Sequence, residues 1–125
     1  MEKATNAQTP TTSGNTAFEK VEGKQTLKLP TGLEAQAGLQ TFFGRISPDA
    51  SPGWNTLTIS GLPAGTRAIS SWMTEWSLPN NPHAGGAWYT TTSVQLFNNG
   101  TQCRVRFNLD WGSHLPSACQ VIFGP

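Results

Sequence analysis

Residues 98–109 read NNGTQCRVRFNL and carry the clearest structural signal in the chain. The first three residues, Asn98, Asn99 and Gly100, predict a tight hairpin turn, because both central positions of a type I′ turn need left-handed backbone that Asn and Gly adopt. The residues after the turn alternate with a period of two, which is typical of a strand with one buried face. The members of that face are Thr101, Cys103, Val105, Phe107 and Leu109. This stretch therefore predicts an antiparallel strand pair.

Short alternating runs and turn signals continue through most of the chain in both directions. Turn signals include Pro30-Thr31-Gly32 and Ser51-Pro52-Gly53, and no stretch keeps a helical period for long. Seven short strands at regular spacing predict an all-β, antiparallel β-sandwich of about six to eight strands over residues 25–125. Residues 1–24 are rich in Thr, Asn, Gly and Ala and hold few large apolar side chains, so we expect a flexible N-terminal arm there.

Charge and hydropathy exclude several partners. The formal net charge is +1 and only 12% of the 125 residues are charged, so no strong field would attract nucleic acid or anionic lipid. The longest apolar runs are far below the roughly 20 residues that a membrane span needs. No apolar segment follows the first residues, so no signal peptide is visible. We expect synthesis in the cytoplasm, with the product virion-associated or released, unless a signal was removed before this numbering.

Cys103 and Cys119 are the two cysteines and lie on the last two predicted strands. If these strands pair as a hairpin, Phe107 faces Cys119 and Cys103 faces Phe123. The thiols then point to the core about four residues apart, and at about 3.4 Å per residue this separation exceeds disulfide reach. We expect two free, buried thiols; a slip of register is the alternative that would allow a bridge.

The chain offers little for metal binding or catalysis. His83 and His114 lie in predicted loops, and no CxxC or HExxH motif is present, so neither a metal nor another cofactor is expected. The candidate acids are Asp49, Glu75 and Asp110, and nothing in the sequence places two of them across a cleft, as a glycosidase requires. We therefore expect a protein that is not an enzyme.

Polar and aromatic residues gather around two predicted loops. Sugar recognition combines an aromatic ring for the apolar face of a pyranose with Asp, Asn or His for its hydroxyls. The ligand-binding residues predicted on this basis are Asn81, His83, Trp88, Tyr89, Asp110, Trp111 and His114.

Tryptophan has an alternative role in a domain of this size. Strand-borne Trp is usually buried, and we favour a place in the core or at a subunit contact for Trp72, Trp76 and Trp88. Trp111 lies in a loop between Asp110 and Gly112, where a binding role and a structural role remain equal alternatives.

The C-terminal third resembles a known family. The run SVQLFNNGTQCRVRFNLDW at residues 93–111 and the run ACQVIFG at residues 118–124 are similar to the closing strands of H-type lectin domains, which also occur at receptor-binding tips of phage fibres. The resemblance implies a sandwich of six or seven strands, a trimer, and sugar sites near subunit boundaries. It transfers no binding residue by position.

Three functional hypotheses follow. The first is a non-enzymatic β-sandwich that binds a glycan or cell-surface receptor, as a homotrimer. The alternative is a structural component of a virion or appendage without a ligand of its own. The third is a membrane-active toxin that places exposed Trp at the lipid interface.

Overall fold

The computed structural model describes residues 22–34, 36–80 and 86–125 and shows an all-β fold of two sheets. Its strands are β1 (Gly23–Lys28), β2 (Gln40–Arg45), β3 (Gly53–Ser60), β4 (Ala68–Glu75), β5 (Trp88–Phe97), β6 (Gln102–Asp110) and β7 (Ser117–Gly124). The predicted all-β class is confirmed, as is the expected number of strands. None of these described residues belongs to a helix of the length and apolar character needed to cross a membrane.

The two sheets contain four and three strands. The first has the order β1-β3-β6-β5 and the second the order β2-β7-β4. One pair departs from the antiparallel prediction, because β1 and β3 run parallel. The chain leaves β1, forms β2 in the other sheet and returns to β3, and such a crossover allows a parallel pair.

The predicted hairpin joins β5 to β6. Asn98, Asn99 and Gly100 have φ values of 51°, 55° and 77°, the left-handed backbone expected from their residue types. The Thr101 N–H donates a 3.0 Å hydrogen bond to the Asn98 carbonyl. A Cβ at Gly100 would lie 2.4 Å from the Thr66 carbonyl oxygen, so only glycine fits this turn.

The core lies between the sheets and follows the period-two pattern of each strand. In β6 the side chains of Cys103, Val105, Phe107 and Leu109 are all buried, as the sequence predicts. The opposing sheet contributes the inward side chains of β4 and β7, and β3 adds those of its own inward face. These residues are Met73, Cys119, Val121, Phe123, Leu57 and Ile59.

The expected pairing of β6 with β7 is wrong. β6 pairs with β3 and β5, whereas β7 pairs with β2 and β4. Residues 111–116 cross from one sheet to the other, and on the way Leu115 and Ala50 exchange backbone hydrogen bonds of 3.1 and 3.0 Å. A connection of this length can close a hairpin or cross a sandwich about 10 Å thick, and the sequence does not distinguish these.

Both cysteines are free and buried, as expected, although the strand pairing on which that expectation rested is wrong. Cys103 and Cys119 belong to different sheets, so the register argument used for them does not apply. Burial and the nearby Cys119 thiol raise the pKa of Cys103 to about 11, and burial also raises the pKa of Cys119.

The domain begins slightly earlier than residue 25. β1 starts at Gly23, and the Glu22 carboxylate accepts hydrogen bonds from Arg106, at 2.6 Å, and from the Thr56 hydroxyl. The rest of the predicted flexible arm, residues 1–21, lies outside the described residues.

Candidate functional site

A groove of about 780 Å³ opens along one side of the sandwich. β4 is the edge strand of the three-stranded sheet and β5 the edge strand of the four-stranded sheet, and the groove runs between them. Residues 70–75 and 86–91 line it. A volume of this size is typical of ligand sites.

Two exposed indoles border this groove. Trp72 is 72% exposed and Trp88 is 74% exposed. Each side chain lies on the outward face of its own sheet, because Trp72 is opposite the exposed Gln120 and Trp88 is opposite the exposed Asp110. Both residues also line the groove, so each of the two sheets contributes one accessible aromatic ring to its border.

The inner wall of the groove carries more protected groups. The Tyr89 hydroxyl lies 2.6 Å from Ser117 Oγ, and Ser117 uses its own proton to bond the Leu115 carbonyl at 2.9 Å. The phenol is therefore the donor to Ser117. Burial raises the pKa of Tyr89, and the negative charge of Glu75 raises it further, against the opposing effect of the Ser117 hydrogen bond. The phenol stays neutral at physiological pH.

Glu75 is an acidic group on this wall. It is opposite the buried Ser117 across the β4–β7 pair, and its Oε2 atom is shielded from solvent. The neighbouring inward positions of β4 hold Met73, which is buried, and Ser71, whose hydroxyl lies 3.0 Å from Cys119 Sγ. Hydroxyl, carboxylate and aromatic groups thus share one surface, a combination suited to a hydroxyl-rich ligand.

The predicted ligand residues are only partly brought together. Trp88 and Tyr89 line the groove. Asp110 sits beside Trp88 on the outward face of the sheet and is not a lining residue. Trp111 packs against the core near Gly86, where an added Cβ would lie 3.6 Å from its ring.

His114 is the one remaining member of the predicted set that belongs to the described residues. His114 Nε2 is 3.3 Å from Ser51 Oγ, on the loop between β2 and β3, and His114 does not line the groove. Asn81 and His83 lie outside the described residues. Of the described members, two line the groove and three do not: Trp88 and Tyr89 against Asp110, Trp111 and His114. The groove is therefore taken as the candidate site.

Sequence reasoning missed the contribution of β4. Trp72 and Trp88 were expected in the core or at a subunit contact; within one protomer the core placement is wrong, and the subunit contact stays a prediction. Trp76 is half-buried and stacks on Phe43, with ring centroids 6.0 Å apart. The alternation of Trp72 with Met73 was the available signal, but it does not say which of the two faces outward.

The candidate acids do not form a pair across the groove. Glu75 lines it, Asp110 lies outside it, and Asp49 is bound to Arg45 at 3.2 Å. Within residues 22–34, 36–80 and 86–125, no three His, Cys, Asp or Glu side chains are grouped as metal ligands.

Compared with known proteins, the chain matches no family model, no curated protein and no solved structure.

Proposed function

We propose that this protein is a non-enzymatic carbohydrate-binding β-sandwich, and that the groove between β4 and β5 is its binding site. The observation that carries the proposal is the pair of exposed indoles, Trp72 and Trp88, on either side of a groove lined by hydroxyl groups. Leaving two large rings in water loses burial free energy that a core position would gain. An aromatic ring stacks on the apolar face of a pyranose, and side-chain hydroxyls bond its polar edge.

The chemistry of the lining supports this choice over other small ligands. Ser70, Thr74, Thr90 and Thr91 carry hydroxyls that both donate and accept, as sugar hydroxyls do. The resemblance of the last strands to H-type lectin domains agrees with a glycan as the ligand. A glycan on a cell-surface receptor is the natural target of such a site.

The test is a glycan array followed by calorimetric titration of the best ligand. Trp88→Ala and Trp72→Ala should each weaken binding at least tenfold, about 1.4 kcal/mol, because each removes a stacking surface. Phe43→Ala is the matched control, since Phe43 is 51% exposed on the second sheet and lies outside the groove. Silence on every glycan, or equal losses in all three variants, would overturn the proposal.

A structural role is the second candidate, and an exposed apolar face favours it. The outward face of the second sheet presents Phe43, Trp72 and Ile122, and Leu39 nearby is 69% exposed. Patches of this kind mark protein contacts. We propose that copies of this chain meet there, as the trimer expected from the sequence. Sedimentation should show one oligomer that Phe43→Ser weakens, and a monomer at all concentrations would contradict it.

A further inference from the structure

The outward face of the four-stranded sheet brings together basic side chains that are far apart in the sequence. Lys24 and Lys28 lie on β1, and Arg104 and Arg106 lie on β6. All four alternate with buried positions, so they point away from the core, and β3 joins the two pairs into one surface. We call the outward side of β1, β3 and β6 the basic face. The formal net charge of the whole chain is only +1, so the positive charge is concentrated here.

Three of these four charges are in excess. The Arg106 guanidinium donates a 2.6 Å hydrogen bond to the Glu22 carboxylate, and this ion pair offsets one cation. Lys24 and Lys28 are exposed, and neither forms a salt bridge within the part of the chain that the structure describes. Charge complementarity therefore favours an anionic partner for this face.

Arg104 shows that the basic face is more than a protected sheet edge. Lysines on an edge strand discourage pairing with other sheets, which would account for Lys24 and Lys28 on β1. Arg104 lies on β6 inside the sheet, where there is no edge to protect. Its side chain is exposed and lies 4.7 Å from the Phe97 ring centroid. Asp110, an acid on the same face, is six residues away along β6, about 20 Å.

The spacing of the three cations suits a chain of anionic groups. Lys24 and Lys28 are four residues apart on β1, about 13 Å, and Arg104 lies two strand spacings from β1, about 10 Å. One small anion cannot contact all three. Thr58 lies between them, paired with Thr26 on β1 and with Arg104 on β6. The middle of the face therefore offers hydroxyl groups, which both donate and accept hydrogen bonds.

The aromatic rings of this region favour one kind of polyanion. The Arg106 guanidinium lies 4.8 Å from the Trp54 ring centroid, and the Arg104 guanidinium covers the Phe97 ring in the same way. Single-stranded nucleic acids bind by stacking their bases on accessible rings beside a cationic surface. Covered rings with a hydroxyl such as Thr58 between the cations fit a polysaccharide better, because its anionic groups are separated by hydroxyl-rich sugar rings.

We infer that the basic face is a second binding surface and that its ligand is a sulfated polysaccharide. Sulfate groups pair with Lys24, Lys28 and Arg104 through charge-assisted hydrogen bonds, and sugar hydroxyls bond Thr58. None of these residues lines the groove between β4 and β5. The inference therefore goes beyond the proposed function and does not depend on it.

The experiment measures binding of the whole chain to heparin and to the same polysaccharide after complete desulfation. We expect the sulfated form to bind about tenfold more tightly, since several exposed charge pairs each contribute a small amount. Added salt should weaken the binding, because exposed charges are screened. Equal affinity for the two forms, or no binding to heparin, would overturn the inference. Tighter binding of a single-stranded DNA oligonucleotide than of heparin would also overturn it, in favour of a nucleic-acid ligand.

Variants on two different strands test the location of the surface. Arg104→Gln, and Lys24→Gln combined with Lys28→Gln, remove charge but keep polar side chains, and each should weaken heparin binding about threefold or more. The matched control is Arg67→Gln, because Arg67 is exposed just before β4 and lies outside the basic face. Equal losses from Arg104→Gln and Arg67→Gln would assign the binding to net charge and contradict the inference.

Glycan binding in the groove separates this inference from the proposed function. Arg104→Gln should keep the affinity for a neutral glycan bound there, because Arg104 does not line the groove. Heparin binding without any neutral glycan ligand would overturn only the proposed function. The reverse result would overturn only the inference about the basic face.

Discussion

The two long sides of this sandwich are built differently. On one side, the edge strand β1 is joined to the chain just after β2: the Thr26 N–H donates to the Ser47 carbonyl at 2.7 Å, and the Ser47 N–H donates to the Thr26 carbonyl at 3.1 Å. On the other side, the edge strands β4 and β5 border the groove. We call these the closed side and the open side.

A buried polar network strengthens the closed side. Asn55 is fully buried in β3, and its side chain accepts hydrogen bonds from Gln25 Nε2 at 2.7 Å and from the Ser51 N–H at 2.9 Å. The same side chain donates to the carbonyls of Ser51 and Gly53, at 2.8 and 3.0 Å. One residue therefore ties β1, β3 and the loop before β3 together. We propose that the closed side stabilises the fold and that the open side holds the binding site.

Loss of this network should destabilise the protein more than any other change considered below. Asn55→Ala removes four hydrogen bonds and leaves buried partners without them, so we expect a loss of about 3 kcal/mol in the free energy of unfolding. Urea denaturation measures it. The matched control is Asn108→Ala, a half-buried position on the outward face of β6, with an expected loss under about 1 kcal/mol. Equal losses would mean that the closed side has no special role.

A second prediction concerns the core that both sides share. Burial raises the pKa of Cys103 from 9.0 to about 11, so the thiol stays neutral in the folded chain while the unfolded chain ionises. Its contribution to stability is complete below pH 9 and is lost as the pH rises to about 11. The free energy of unfolding should fall over this interval, by up to about 1.4 kcal/mol per unit of pKa difference.

The readout is the slope of stability against pH. Cys103→Ala should lower stability at every pH and flatten the alkaline slope. A thiol reagent should find both cysteines inert in the folded protein near neutral pH and reactive after unfolding, because both are buried. Fast reaction of the folded chain would refute the buried placement of the thiols.

A third prediction separates the open side from the closed side. Trp88→Ala should change the free energy of unfolding by less than about 0.5 kcal/mol, because the side chain is 74% exposed. The same variant should lose at least tenfold in glycan affinity, whereas Asn55→Ala, measured below its melting temperature, should keep that affinity. If either variant lowers both the free energy of unfolding and the glycan affinity, the two sides do not have separate roles.

A weaker effect on stability is expected at the start of β1. Partial burial alone would raise the pKa of Glu22, but hydrogen bonds from Arg106 and Thr56, and the Arg106 charge, hold it below 4.5. The stabilisation from this carboxylate is therefore present above pH 4.5 and is lost as the pH falls through the lower folded-state value. Because the pair is partly exposed, Glu22→Gln should cost about 0.5 kcal/mol at neutral pH.

The comparison of pH values provides the control for Glu22. In strong acid the unaltered protein and Glu22→Gln should have the same free energy of unfolding, since the carboxylate is then protonated in both the folded and unfolded chain. A difference that persists in acid would assign the effect to packing.

Local chemistry was enough to predict much of this fold. The turn at Asn98 and Asn99 was predictable because few residue types accept left-handed backbone. The inward face of β6 was predictable because its alternation spans nine residues without a break. The groove was harder to predict from the sequence. Trp88 and Tyr89 were predicted as ligand-binding residues, but Trp72 and Glu75 were not. Both faces of their strand, β4, carry large side chains, so the alternation does not show which face is buried.

The order of the amino acids was enough to predict the strand class, the hairpin between β5 and β6 and most core residues, because these depend on backbone preference and period-two burial within one segment. The folded chain was needed to show that β6 and β7 belong to different sheets, and that Trp72 faces solvent while Met73 faces the core. Alternation separates two faces without naming the inner one, and a six-residue connection permits either a hairpin or a crossing. Those choices depend on which strands pack together across the whole chain, and that packing created the groove.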